Sequence, residues 1–71
     1  MDRKIELEKL GKRIREIRME KGMSQTDLAH AINKDQPSIQ RVEGGKINPS
    51  YLYLKELANG LGVEMKELFL N

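Results

Sequence analysis

The stretch QTDLAHAINKDQPSIQRVEG, residues 25–44, decides how the chain folds. Leu28, Ala29 and Ile32 recur at helical spacing and give one short helix a single apolar side. Ser24 precedes it as an N-cap, and Asp27, three residues on, reaches back to complete a capping box. Asn33 stops that helix, since asparagine is the residue after glycine that best tolerates the left-handed backbone of a tight turn. Asp35 caps the next helix. Its first turn holds Gln36 and Pro37, where a missing N–H has no helical partner to lose. Ile39 and Val42 form its apolar side, and Gly44-Gly45 closes it.

Two helices joined by so short a turn must cross closely, and these residues meet the demands of the crossing jointly. The fifth residue of the stretch, Ala29, is small where two helices leave little room. The fourth and eighth, Leu28 and Ile32, are apolar, and the fifteenth and eighteenth, Ile39 and Val42, seat the second helix on the first. So many conditions within twenty residues rarely coincide; together they describe a helix-turn-helix.

Upstream, Leu7, Leu10, Ile14 and Ile17 form one stripe on a helix from about residue 4 to residue 21, ended by Gly22. Gly11 within it costs about 1 kcal/mol relative to alanine, which implies close approach of another helix. Downstream, Asn48-Pro49-Ser50 opens a fourth helix to about Asn59, with Tyr51, Leu54, Leu57, Ala58 and Leu61 inward and Gly60 and Gly62 loosening its end. A last short helix covers roughly residues 64–70, anchored by Leu68 and Phe69. No strand period occurs. The expectation is an all-α, compact five-helix bundle forming a single domain over residues 1–71, with residues 1–4 a frayed N-terminus.

Composition narrows the function. A chain of 71 residues has room for one modest core. With no cysteine and a single histidine, His30, neither a disulfide framework nor a metal site is available. His30 falls on the outer side of its helix. There is no phosphate-cradling glycine loop and no room for a substrate cleft, so no catalytic residue, cofactor or small-molecule ligand is expected. No apolar run approaches a membrane span, and the opening MDRKIELEKL lacks a signal-peptide core, so a cytoplasmic protein is the expectation. Net charge is +2, but residues 1–23 carry eight basic against five acidic side chains. That excess suits phosphate contact, and equally a solvated helix laced with ion pairs.

The segments KRIREIR (12–18), GMSQTDLA (22–29), SIQRVEGGK (38–46) and NPSYLYLKELANGLGV (48–63) resemble the phage-repressor, Cro-like or XRE-type family of DNA-binding domains, over residues 10–70. The resemblance implies a lambda-repressor-like fold with the helix-turn-helix in helices 2 and 3, the third helix lying in the major groove of double-stranded DNA. Such a chain would be a transcriptional regulator, a repressor or controller. Two positions depart from the pattern: Asn33 replaces the usual glycine, and Glu64 stands where a Ser or Thr cap is common.

Helical periodicity turns Gln36, Pro37, Gln40 and Arg41 away from Ile39 and Val42. Glutamine pairs with adenine, arginine forks onto guanine, and proline presses on a thymine methyl, so these four are the expected base readers. Gln40 comes after Gln36 and Arg41 in that role, with phosphate as its alternative. Gln25 opens the second helix, where amide groups hold a phosphate; the resemblance points to the same position. Lys46, Asn48 and Ser50 follow the reading helix and suit the other side of the groove, although Asn48 and Ser50 serve equally as caps or loop residues. Arg18 and Glu43 each border an apolar stripe, which suggests a partly buried salt bridge. By the resemblance Arg18 also faces phosphate.

Small helix-turn-helix proteins need a partner subunit to read two half-sites about 34–36 Å apart. A homodimer on a pseudo-palindromic operator is therefore expected, joined through Leu52 and Tyr53, which fall off the core-facing side of the fourth helix, and through Phe69 and the neighbouring Leu70. The same apolar residues admit a second reading: an antitoxin or adaptor whose main role is to bind a partner protein.

Overall fold

The structure, a computed structural model, describes residues 1–70. It is all-helical, with no strand among the described residues: α1 (Arg3–Glu20), α2 (Gln25–Ala31), α3 (Gln36–Glu43), α4 (Tyr51–Leu61) and a 3₁₀ helix (Met65–Phe69). The fifth helix expected from sequence is therefore a 3₁₀ helix and not an α-helix. Glu64 makes no side-chain cap bond there. Five residues without a cap gain little from the i→i−4 ladder, and they wind more tightly.

The N-terminus also differs from expectation. Asp2 accepts from the Lys4 and Ile5 amides at 2.9 and 3.3 Å, so Arg3 and Lys4 already belong to α1 instead of fraying. Asn33 does take the left-handed turn, at φ 58°. None of the helices is long and apolar enough to cross a membrane among the described residues.

Ile14, Ile17, Leu28, Ala29, Ile32, Ile39, Val42, Leu57, Ala58, Leu61 and Leu68 share one core. Two expectations for α4 and the tail are corrected by it. Tyr51 is 64% exposed, while Tyr53 is half-buried against the core. Gly60 faces Ile32, Leu28 and Ala31, and Tyr53, two helical turns earlier, lies on that same side of α4, while Tyr51 does not. Phe69, expected as an anchor, is 57% exposed, and the tail is held by buried Leu68, with Met65 also packed against the core. Arg13 helps it, donating through Nε to the Glu67 carbonyl at 2.8 Å.

Two glycines mark where helices touch. A Cβ on Gly11 would stand on the carbonyl oxygens of Val42 and Glu43, so α3 ends directly on α1. Gly60 lies within α4, which runs to Leu61 and not only to Asn59. A Cβ there would strike the Ile32 side chain. Gly11→Ala is therefore expected to destabilise the fold by about 2 kcal/mol in denaturant melts, because backbone overlap outweighs alanine's better helix propensity. A melt at or above the parent's would refute that close crossing.

Candidate nucleic-acid interface

Short helices need their ends secured, and both helices of the motif are capped from sequence. The Ser24 hydroxyl accepts from the Asp27 amide and the Asp27 carboxylate accepts from the Ser24 amide, both at 2.9 Å. Asp35 accepts from the Ser38 amide at 2.9 Å. The Ser24 amide and hydroxyl hold the Asp27 carboxyl below the usual carboxylate range. Ser38, through its hydroxyl and then its amide, does the same for Asp35. With both ends pinned, α2 and α3 keep fixed orientations across the Asn33 turn.

Arg18 and Glu43 form the expected salt bridge, and it is more buried than the sequence implied. Arg18 Nε and Nη2 donate to the two Glu43 carboxylate oxygens at 2.6 and 3.0 Å, while Nη1 donates to the Met23 carbonyl at 2.7 Å. The two side chains are 10% and 3% exposed. The Glu43 hydrogen bond raises the Arg18 pKa further above its ordinary value, against the opposing effect of burial. A guanidinium so engaged is a scaffold for α1, α3 and the α1–α2 turn.

From this pair a chain of side-chain amides runs outward. Gln25 Nε2 donates to Glu43 Oε1 at 3.0 Å, and Gln36 Nε2 donates to Gln25 Oε1 at 2.6 Å and, longer, to Gln40 Oε1 at 3.5 Å. Sequence reasoning gave Gln25, Gln36 and Glu43 three separate tasks and missed their connection. The signal was present, since each helix of the motif begins with a glutamine directly after its cap, Ser24-Gln25 and Asp35-Gln36.

The other expected site residues separate into groups. Pro37, Gln40 and Arg41 are exposed on α3, and Gln36 is half-buried beside them. Lys46, Asn48 and Ser50 are exposed in the segment after α3, with the Ser50 hydroxyl capping α4 by accepting from the Tyr53 amide at 3.1 Å. Leu52, Phe69 and Leu70 are exposed. Tyr53 is not part of a free apolar face. Its ring lies beneath the Lys34 ammonium at 5.3 Å, and its hydroxyl is buried without a hydrogen-bond partner among the described residues. Burial pushes that hydroxyl above the ordinary phenol range. No cluster of side chains suited to a metal ion occurs among the described residues.

Residues 14–68 match the helix-turn-helix family model. The chain is 37% identical over 60 residues to the HTH-type transcriptional regulator DdrOP3 of Deinococcus deserti, covering 84% of this chain but only 46% of that longer protein. Among solved structures it is similar to the restriction-modification controller protein C.AhdI of Aeromonas hydrophila. That likeness has TM-score 0.93 and 39% identity, over 97% of this chain and 100% of the other. It is also similar to the controller protein C.Esp1396I, solved as a tetramer with its natural 35 base-pair operator, at TM-score 0.78 and 33% identity over 90% and 95% of the two chains.

Removing one member of the buried pair strands the other. Glu43→Ala is expected to lower stability by about 3 kcal/mol, read as a fall in the midpoint of chemical denaturation. A variant that melts like the parent would show that the pair carries no such weight.

Proposed function

The chain belongs to the helix-turn-helix family, and on that premise we propose that it is a sequence-specific, double-stranded DNA-binding transcriptional regulator. In this reading it is a repressor or controller that meets a pseudo-palindromic operator in the major groove as a homodimer. The observation that carries it is the exposed face of α3, with Pro37, Gln40 and Arg41 beside Gln36, held on a rigid polar support. The architecture is lambda-repressor-like, with α2 and α3 as the helix-turn-helix and α3 as the reading helix.

Roles follow from chemistry and position. Arg41 forks onto a guanine edge, Gln36 and Gln40 meet bases by their amides, and Pro37 offers an apolar surface to a thymine methyl. Gln25, Lys46, Asn48 and Ser50 take phosphates on either side of the groove, fixing register without reading sequence. Arg18, buried on Glu43, serves phosphate binding through the helix ends it holds. The protein acts in the cytoplasm and needs no cofactor.

Leu52, Phe69 and Leu70 remain as the exposed apolar residues for subunit pairing. They also motivate the second reading, in which this domain chiefly holds a partner protein as an antitoxin or adaptor. Selection from random duplexes separates the two: a regulator enriches one sequence, and an adaptor enriches none.

On the enriched duplex, Arg41→Ala is expected to relax preference at one base pair, costing about 1–3 kcal/mol of discrimination there. Lys46→Ala should weaken all sequences alike and reduce the slope of log affinity against log salt by about 1. The reverse pattern would exchange the two roles. Sedimentation should show a dimer whose dissociation is promoted by Leu52→Lys or Phe69→Lys; a parent protein monomeric at high micromolar concentration would remove the homodimer.

A further inference from the structure

We propose that Arg15 of α1 is a phosphate-binding residue of the DNA interface. With Lys46, and over the bare backbone of Gly44, it closes a seat for one phosphate of the duplex. This rests on the reading of α3 as the recognition helix. Of the eight basic side chains in residues 1–23, three are engaged: Lys9 by Glu6, Arg13 by Glu16 and Glu67, and Arg18 by Glu43. The other five have no ion pair among the described residues, and their positions separate them.

Arg15 is exposed, three residues before Arg18 and four after Gly11, on the flank of α1 that carries the end of α3. A Cβ on Gly11 would overlap the Glu43 carbonyl, so Arg15 stands one helical turn from the peptide joining Glu43 to Gly44. Ile14 and Ile17 face the core. At about 100° per residue, Arg15 lies further from them around α1 than Gly11 and Arg18 do. Helix α3 turns Ile39 and Val42 to the same core and Pro37, Gln40 and Arg41 outward, so that step leads to the reading side. Lys12 falls nearly opposite Ile14, on the back of α1. Lys4 is eleven residues, about 16 Å, from Arg15, and Arg3 and Lys21 lie at the two ends of the helix.

Gly44 supplies an independent observation. Its φ of −84° suits any residue, and the helix is stopped by its neighbour. Gly45 takes the left-handed turn at φ 69°, its amide on the Val42 carbonyl at 3.1 Å and the Lys46 amide on the Arg41 carbonyl at 2.9 Å. A Cβ on Gly44 would meet no other helix; its nearest neighbours are the Gln40 carbonyl at 3.3 Å and Lys46 Cγ at 3.5 Å. Neither backbone conformation nor helix contact asks for glycine here, where alanine is the better helix former. Gly44 is exposed, four residues after Gln40 and seven after Pro37, in line with the reading face. A bare Cα there lets one strand of a duplex lie close against the end of α3. That end is the negative pole of the helix, so a phosphate settles beside it only with cations at hand. Lys46 supplies one from the loop and Arg15 the other from α1, its guanidinium forking onto two phosphate oxygens.

Equilibrium binding to the selection-enriched duplex and to a random duplex, over a range of salt concentrations, tests this on the parent, Arg15→Gln and Lys12→Gln. Both variants remove one charge from α1 and should melt like the parent. Arg15→Gln should weaken both duplexes by the same factor and lower the slope of log affinity against log salt by about 1. Lys12→Gln should leave that slope unchanged. Gly44→Leu, with no change of charge, should melt no lower than the parent and weaken both duplexes alike. In ethylation interference, one phosphate whose modification harms the parent should cease to matter in both Arg15→Gln and Lys46→Ala. Equal slope changes in Arg15→Gln and Lys12→Gln would mean that only net charge is felt, and would overturn the proposal. A lower melting midpoint for Arg15→Gln with an unchanged slope overturns it too, since Arg15 would then cap the α3 carbonyls. Full binding by Gly44→Leu, or its loss of stability, removes the seat. If the parent binds neither duplex, the regulatory reading itself is at fault and this inference goes with it.

Discussion

Everything on the reading side of the molecule depends on how closely α3 lies against α1. Gly11 lets the last carbonyls of α3 rest on the α1 backbone. Two turns further along α1, Arg18 reaches Glu43 at the end of the same helix. The first contact sets the separation of the two helices and the second their rotation. An ion pair taken out of water contributes little net stability, because the lost hydration offsets the attraction between charges. Its value is geometric. Bidentate pairing with an additional bond to the Met23 carbonyl leaves one arrangement for α1, α3 and the turn that begins α2.

Much of this was legible in the sequence because the features involved are local. Caps at Ser24 and Asp35, the Asn33 turn and the apolar spacing of α2 and α3 are each set by residues within a few positions of one another, and each stands in the structure as expected. Gly11 announced a close contact but not its partner. The Arg18–Glu43 pair was legible from two flanks of apolar stripes, helped by the family resemblance. The polar chain was not, because a link between Gln25 and Glu43 depends on the crossing of two helices and no periodicity encodes it.

The misplaced aromatic residues share one cause. Periodicity gives a helix an apolar side but not the depth at which each residue on that side enters the core. Tyr51 and Tyr53 both lie near the edge of the α4 stripe, and the contact of Gly60 with Ile32 turns the helix toward Tyr53. In the tail, Leu68 fills the available space and Phe69 is left outside. The base-facing roles lie beyond either source, since exposed Gln, Pro and Arg side chains acquire meaning only against a duplex.

The glutamine chain also bears on how such a surface diverges. Arg41 and Pro37 hold no other side chain in place among the described residues, so an exchange at either alters one contact and nothing beneath it. Gln36 is different. Its replacement leaves the Gln25 oxygen without a donor, half-buried, and that amide is free to turn away from Glu43. On the proposed reading of α3, an operator and its reader can therefore drift together in single steps at Pro37 and Arg41, whereas at Gln36 a change of preference requires linked substitutions on two helices.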